Sequence, residues 1–433
     1  QEVVKRIFRT PGGKRIKNLV SHRVRYGFVV DPSTGTKLDE VLLTFMQGPR
    51  SYTAEDVCEI SCHGGIMTLR RVLEVTLAAG ARLAEPGEFT KRAFLNGRLD
   101  LTQAEAVLDL IQATSDLSMR NALRQLEGGL SQEVQHLRQQ LIEVLAALEA
   151  AIDFPEEDIE IIENADLLSR LTRVLERLHP LIESFRQGRL LREGVLLVLI
   201  GKPNVGKSSL FNALLSANRA IVTPVPGTTR DVIEERLSIR GYPFRLCDTA
   251  GIRPTRDTVE QEGVVRSRQL LETADLLLFL LDASLPWEAE DEALLEEVQG
   301  RHLLFVVNKI DLPRRLDTRH LRNRFPQREL VEVSATTGLG LPRLEEAICR
   351  HLFQEPMRPK DEGVLVTRLR HQEALLRCRE HVEEAIASLQ AKMSGEFVAL
   401  DIQAALESLG EIVGESFTED LLDQIFRDFC IGK

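Results

Sequence analysis

The sequence predicts a multidomain protein of mixed α/β and α character: an N-terminal α+β domain, a helical bundle, and a phosphate-loop α/β domain inserted into that bundle. Three observations carry this. Short extended runs separated by turn signals fill the first 95 or so residues. Apolar stripes at intervals of three and four residues occupy 101–190 and return over 365–428, on either side of an alternating strand–helix stretch. That stretch opens with the apolar run Val195–Ile200, followed by Gly201-x-x-x-x-Gly206-Lys207-Ser208 and a helix carrying Leu210, Phe211, Leu214 and Leu215. At 433 residues the chain is also too long for one ordinary core.

Taken in order, VRYGFVVD, VLLTFM and VCEISCHGG read as strands, interrupted by DPSTG and QGPRS, and a helix follows from about Met67 to Ala79 with Leu69, Val72, Leu73, Val75 and Leu77 as its apolar positions. Cys58, Ile60 and Cys62 alternate, which places the two thiols on one buried face. Leu130, Val134, Leu137, Leu141, Val144 and Leu148 form one helical stripe, broken at Asp153-Phe154-Pro155. A second helix, Ala165 to Arg186, leads into the Val195 strand. Further strands are expected at Phe244–Cys247, Leu303–Val307 and Val331–Val333, and the last long helix at Thr367–Leu389 with Leu369, Leu375, Leu376, Val382, Ile386 and Leu389.

Composition excludes several classes. A formal net charge of −11 argues against general electrostatic binding of nucleic acid, although Lys5, Arg6, Arg9, Lys14, Arg15 and Lys17 make a short basic run of the kind that is usually solvated. No apolar run approaches the roughly 20 residues that cross a bilayer, so no membrane partner is expected and a soluble, cytoplasmic protein is. The six scattered cysteines suit a reducing compartment. Zinc at Cys58, Cys62 and His63 is not expected, because a structural site needs four ligands. The chain starts at Gln1 without Met, so an N-terminal segment is expected to be missing.

Gly201 to Ser208 joins a strand to a helix, the context a phosphate loop requires. Backbone N–H groups turn inward around phosphate oxygens, and the helix N-terminus adds partial positive charge. Lys207 can reach terminal phosphates, and the Ser208 hydroxyl is a hard ligand for Mg²⁺. Asp248-Thr249-Ala250-Gly251 ends the next strand, where Asp248 suits the Mg²⁺ shell and the Gly251 N–H a γ-phosphate. Asn308-Lys309-Ile310-Asp311 ends another. The Asp311 carboxylate can accept from guanine N1–H and its 2-amino group, and leaving it unpaired would cost roughly 1–3 kcal/mol, which selects guanine over adenine. Ser334, Ala335 and Thr336 form the expected base-backing loop. NKxD alone is common in solvated loops; three ordered motifs at strand C-termini are not.

The chain resembles the translation-factor-related GTPases and, more closely, the MnmE (TrmE) family of tRNA-modifying GTPases. CHGG at 62–65, GEFTKRAFLNGRLDLTQAEA at 87–106, AAIDFPEE at 150–157, GKPNVGKSSLFNAL at 201–214, TPVPGTTRD at 223–231 and FCIGK at 429–433 carry the resemblance. It implies an N-terminal folate-binding and dimerisation domain at 1–97, a helical domain at 98–192 plus 357–433, and a GTPase domain at 193–356. It also implies a homodimer that works with the flavoprotein MnmG in a heterotetramer. The pair would install an aminomethyl or carboxymethylaminomethyl group on carbon 5 of the wobble uridine of certain tRNAs, with 5-formyltetrahydrofolate or a related reduced folate as the one-carbon source.

The resemblance also assigns residues. GTP would be held by Asn204, Val205, Gly206, Lys207, Ser208 and Ser209, by Thr223, Pro224, Val225, Pro226, Gly227, Thr228 and Thr229, and by the Asp248–Gly251, Asn308–Asp311 and Ser334–Thr336 segments, with Mg²⁺ on Ser208 and Thr229. Ile252 follows the DTAG motif where Ras-like proteins carry a water-orienting Gln, so charge on the transferring phosphate must be met otherwise. The resemblance supplies K⁺, bound by Asn204, Thr223, Val225 and Thr228, and a water-orienting Glu260; Glu260, Lys207 and Thr229 are the catalytic candidates. Folate would contact Glu59, Arg98 and Lys433, while a further family Arg near the start has no counterpart. Cys430 stands near the folate end as a candidate thiol, against a plain packing role beside Phe426 and Phe429. Two other classes compete: a regulatory GTPase acting as a ribosome-assembly or stress switch, which has no need of the FCIGK tail, and a folate-dependent transferase in which GTP is only structural.

Overall fold

The computed structural model describes residues 1–153, 164–218, 234–248, 270–353 and 363–432. It divides into two compact units, one of residues 1–108 with 407–433 and one of 109–406.

In the first unit a four-stranded antiparallel sheet forms from β1 (Phe8–Arg9), β2 (Arg23–Val30), β3 (Lys37–Met46) and β4 (Val57–Ser61), in that order. Val29, Val41 and Leu43 point from one face into a core completed by Ile7, Phe8, Val72, Val75 and Ala79, while Val24, Tyr26 and Leu42 remain exposed. This is the period-two alternation of a one-sided sheet. Cys58, Ile60 and Cys62 pack together against that core. Helix α1 (Glu2–Ile7) precedes the sheet and α2 (Ile66–Ala78) follows it. Only Val72 and Val75 of α2 are buried; Leu69 and Leu73, read from the sequence as core-facing, are about half exposed, because the sheet covers only the Val72–Val75 side. The N-terminal basic residues serve local ends: Lys5 pairs with Glu2, and Arg6 donates to the Ala79 carbonyl at the close of α2.

Helices α3 (Glu88–Leu95) and α4 (Leu101–Gln112) follow. The segment from Glu407 onward groups with them, so the compact units do not coincide with boundaries drawn at residues 97 and 357. Side-chain packing gives the reason. Phe94 meets Phe417 edge to face at 5.3 Å, Lys91 pairs with Asp423 at 2.7 Å, and a Cβ at Gly414 would strike Phe94 and Leu101. Glu88, at the start of α3, takes hydrogen bonds from Arg82, Arg92 and the Glu85 N–H, which hold its carboxyl down at about 2.

In the second unit, the helical run is cut into α5 (Asp116–Leu126), with a Ser115–Ser118 capping box, and α6 (Gly129–Asp153), where Leu130, Val134, Leu137, Leu141, Val144 and Leu148 are all buried as the periodicity demands. Helix α7 (Asn164–Glu193) runs on through Pro180, past the expected end at Arg186, into the strand β5 (Val195–Ile200). After α8 (Lys207–Asn218) come β6 (Glu234–Ile239), β7 (Tyr242–Asp248), β8 (Leu276–Asp282), α9 (Ala289–Glu297), β9 (Leu303–Asn308), α10 (Thr318–Arg324), β10 (Leu330–Glu332) and α11 (Leu341–Leu352). Together they build a six-stranded sheet in the order β10-β9-β8-β5-β7-β6, parallel except for the β6–β7 hairpin. Strands β5, β8 and β9 are buried along their whole length, as expected for a sheet covered on both faces.

Helix α12 (Leu369–Gln390) packs along α7. Its buried stripe is His371, Ala374, Leu375, Cys378, Val382, Ala385 and Leu389; the expected Leu369 is exposed at the first turn. Helices α13 (Gly395–Val413) and α14 (Glu419–Arg427) close the chain. Among the described residues no helix is long and apolar enough to cross a membrane, and no group of three His, Cys, Asp or Glu side chains is placed to hold a metal.

Candidate functional site

The candidate site lies at the C-terminal ends of the parallel strands, where β5 turns into α8. Gly206 shows why the motif needs glycine: its φ is +96°, and a Cβ there would run into the Asn308 side-chain amide. Asn204 also takes a positive φ, +66°. The loop is tied from several directions. The Lys207 ammonium donates to the carbonyls of Gly201 at 2.7 Å and Lys202 at 2.8 Å. From the end of β9, Asn308 Nδ2 donates to the Val205 carbonyl at 3.0 Å, and Lys309 Nζ donates to the Asn204 carbonyl at 2.6 Å. A cavity of about 480 Å³ opens between Pro203, Asn204, Gly206, Lys207, Ser208, Ser209 and Lys309.

Ser208 Oγ donates to Asp248 Oδ2 at 3.1 Å, so two hard oxygens from the ends of neighbouring elements meet beside the phosphate loop, a donor set that suits Mg²⁺. On the base side, Asn308 is 1% exposed and its Oδ1 accepts from the Ala335 N–H at 3.0 Å, which joins the NKxD turn to the Ser334 loop. Ser334 is fully buried and its hydroxyl accepts from Thr337 N–H, while Ala335 is half-buried and Thr336 exposed. Asp311 is exposed just beyond that turn. Lys309 also pairs with Asp282 at 2.7 Å; burial alone would raise that carboxyl, but the hydrogen bonds from Lys309 and Ser284 hold it below its ordinary value. Sequence reasoning passed over Asp282, although its place at the C-terminal end of an all-apolar strand was a signal.

The structure therefore brings Asn204, Val205, Gly206, Lys207, Ser208, Ser209, Asp248, Asn308, Lys309, Ser334 and Ala335 to one strand edge. Thr223, Pro224, Val225, Pro226, Gly227, Thr228, Thr229, Thr249, Ala250, Gly251, Glu260 and Lys433 lie outside the described residues. Apart from Asn204, every expected K⁺ position is among them.

In the first unit Arg98 lines a cavity of about 470 Å³ with Phe94, Gly97, Asp100, Gln103 and Phe417. Its guanidinium donates to the Tyr52 carbonyl at 2.7 Å and lies over the Tyr52 ring, 4.9 Å from the centroid. Glu59 is exposed on β4 and is not among the residues lining this cavity. Cys430 is half-buried; its carbonyl accepts from the Gly87 N–H at 3.5 Å, and Ile431 forms a bridge with Pro86.

Residues 1–98 match the family model described as the GTP-binding protein TrmE N-terminus, and residues 101–430 match the MnmE helical domain. The tRNA modification GTPase MnmE of Thermoanaerobacter sp. (strain X514) is 45% identical over 432 residues, covering 100% of this chain and 94% of that protein. The MnmE of Geobacillus kaustophilus (strain HTA426) is 47% identical over 433 residues with the same coverage. Among solved structures, Aquifex aeolicus Era bound to GDP.AlF4- is 30% identical over 43% of this chain and 66% of that one, with a TM-score of 0.30, too low to bear on the fold.

Proposed function

This chain belongs to the MnmE family of tRNA modification GTPases, and from that premise we propose a specific division of labour among its residues. It is a GTPase, with GTP hydrolysis tied to tRNA modification. In the proposed site Lys207 binds the terminal phosphates, Ser208 and Thr229 hold Mg²⁺ with Asp248 beside them, and Asp311 selects guanine while Ser334, Ala335 and Thr336 back the base. The observation that carries this is the cross-bracing of the phosphate loop by Asn308 and Lys309, because it sets base-side and phosphate-side groups at a fixed separation.

A bound Mg²⁺ would offset charge on the β- and γ-phosphates. Asn204, Thr223, Val225 and Thr228 are assigned to K⁺, and Glu260 to the attacking water. The positive φ of Asn204 supports its part, since it turns that residue out of the regular path at the rim of the cavity. Thr229 and the DTAG segment would complete the site around the γ-phosphate. The sheet and its helices, 193–356, are assigned as a GTPase domain inserted between helical segments 98–192 and 357–433; the packing of α12 on α7 supports this, because those helices flank the sheet in sequence.

Residues 1–97 are assigned as the folate-binding and dimerisation domain. Arg98 supports a reduced folate such as 5-formyltetrahydrofolate, as a cation lining a cavity large enough for a ligand; Glu59, which does not line that cavity, and Lys433 are assigned as contacts by the family resemblance alone. With MnmG, the homodimer would modify carbon 5 of the wobble uridine, in the cytoplasm.

Two measurements test the reading together. Mass spectrometry of wobble uridines from cells lacking this protein should show the carbon 5 substituent lost and restored by the parental chain. Purified protein should hydrolyse GTP faster in K⁺ than in Na⁺, with Asn204→Ala removing most of the difference. Intact wobble uridines in the deletion strain would refute the tRNA assignment, and equal turnover in both salts the K⁺ assignment.

A further inference from the structure

Lys202, the first variable position of the phosphate loop, carries a side chain that points away from the nucleotide cavity and is 9% exposed. A cation this buried needs partners. It has two: Glu288 Oε2 at 2.7 Å and Asp291 Oδ2 at 2.8 Å. Burial disfavours the ammonium charge, but the hydrogen bonds it donates to Asp291 and Glu288 outweigh it, so its pKa lies above the ordinary lysine value. The Glu288 side chain is half exposed, whereas Asp291 is not a loose surface group. Asp291 is 1% exposed and its Oδ2 also accepts from the Glu288 N–H at 3.0 Å, within the capping box that starts α9. Trp287, just before the cap, packs in an aromatic cluster, stacked on Phe279, edge to face with Phe305 and tilted against Phe325. Lys202 is thus fastened to a rigid corner of the domain.

The backbone of the same residue faces the other way. Its carbonyl, with that of Gly201, accepts from the Lys207 ammonium. One residue therefore joins the phosphate-binding lysine to the α9 cap, carbonyl on one side and ammonium on the other. Asn308 and Lys309 brace the later loop residues Val205 and Asn204, whereas Lys202 is held from the α9 side through its ammonium. We propose that Lys202 is a positioning residue for GTP hydrolysis: its ion pair with the buried Asp291, supported by the half-exposed Glu288, fixes the carbonyl that aims Lys207. Without the pair the Lys202 peptide can rotate, and Lys207 loses a fixed acceptor. Displacement of a group that meets developing charge affects the transition state more than ground-state binding, which still draws on the guanine contacts.

The test compares Lys202→Met, Lys202→Arg and Asp291→Asn in the full chain, measuring kcat and KM for GTP with Mg²⁺ and K⁺ present, alongside thermal unfolding. Lys202→Met removes the charge at similar volume and should lower kcat by roughly 10- to 100-fold with a smaller change in KM. Lys202→Arg, which can still engage both carboxylates, should recover most of the loss. Asp291→Asn keeps the lysine and should fall between them, and it decides the matter should Lys202→Met not fold. If Asp291→Asn, or a folded Lys202→Met, keeps kcat and KM within about twofold of the parent while only the melting temperature drops, the ion pair is structural and the proposal is wrong.

Discussion

Asp311 illustrates a residue whose chemistry is legible in sequence and whose setting is not. The NKxD spacing marks it; the structure shows that its neighbours Asn308 and Lys309 are consumed by the phosphate loop, while Asp311 itself stays exposed beyond the turn. A carboxylate left there has its lone pairs available to a base. Asp311→Asn should weaken GTP binding by roughly 1–3 kcal/mol, because an amide presents a donor where guanine also donates. The same variant should gain relative affinity for xanthosine triphosphate, whose 2-oxo group accepts. Competition of the two nucleotides against a fluorescent guanine nucleotide reads both effects, and unaltered GTP affinity would place base recognition elsewhere.

At the level of elements, the helix termini hold the clearest pH dependence. Glu88 opens α3, where it satisfies the Glu85 N–H and draws in Arg82 and Arg92. Its carboxyl sits at about 2 against an ordinary 4.5, so the folded state binds its proton less readily than the unfolded chain. The stabilisation is accordingly complete above the unfolded value and lost as pH falls from about 4.5 toward about 2. The partners Arg82 and Arg92 are substantially exposed, so the effect should be modest and weakened by salt. Urea unfolding of Glu88→Gln should show lower stability than the parent at neutral pH, with the difference closing through that acidic window. A constant difference across the window would mean that Glu88 acts by packing rather than charge. Sequence reasoning located the long stripes well, since every apolar position of the α6 stripe is buried, yet it overstated α2, whose Leu69 and Leu73 face outward. Periodicity identifies apolar positions, but a helix with more apolar width than its neighbour can cover leaves the choice of buried side to the packing partner.

For the molecule as a whole, the C-terminal segment lies in the compact unit of residues 1–108 and the phosphate loop in the other, so chemistry and hydrolysis should be separable by mutation. Cys430→Ser should leave K⁺-stimulated GTP hydrolysis nearly intact while lowering tRNA modification, measured as the modified fraction of wobble uridine in a complemented deletion strain. Parental modification by a folded variant would make this thiol a packing residue beside Phe426 and Phe429. The phosphate loop, the NKxD motif and the strands β5, β7, β9 and β10 were legible in sequence, because each is contiguous and its constraint is local: a glycine at positive φ, or an unbroken apolar run for a strand buried on both faces; β6 and the all-apolar β8 were passed over. Tertiary structure alone decided what lies far apart in the chain. It joined residues 407–433 to the first unit, set Asn308 against the Val205 carbonyl across 103 positions, and paired Lys202 with Glu288 across 86. Neither periodicity nor motif spacing encodes such pairings, because a buried lysine finds its carboxylates only where the folded strands and helices bring them within hydrogen-bond reach.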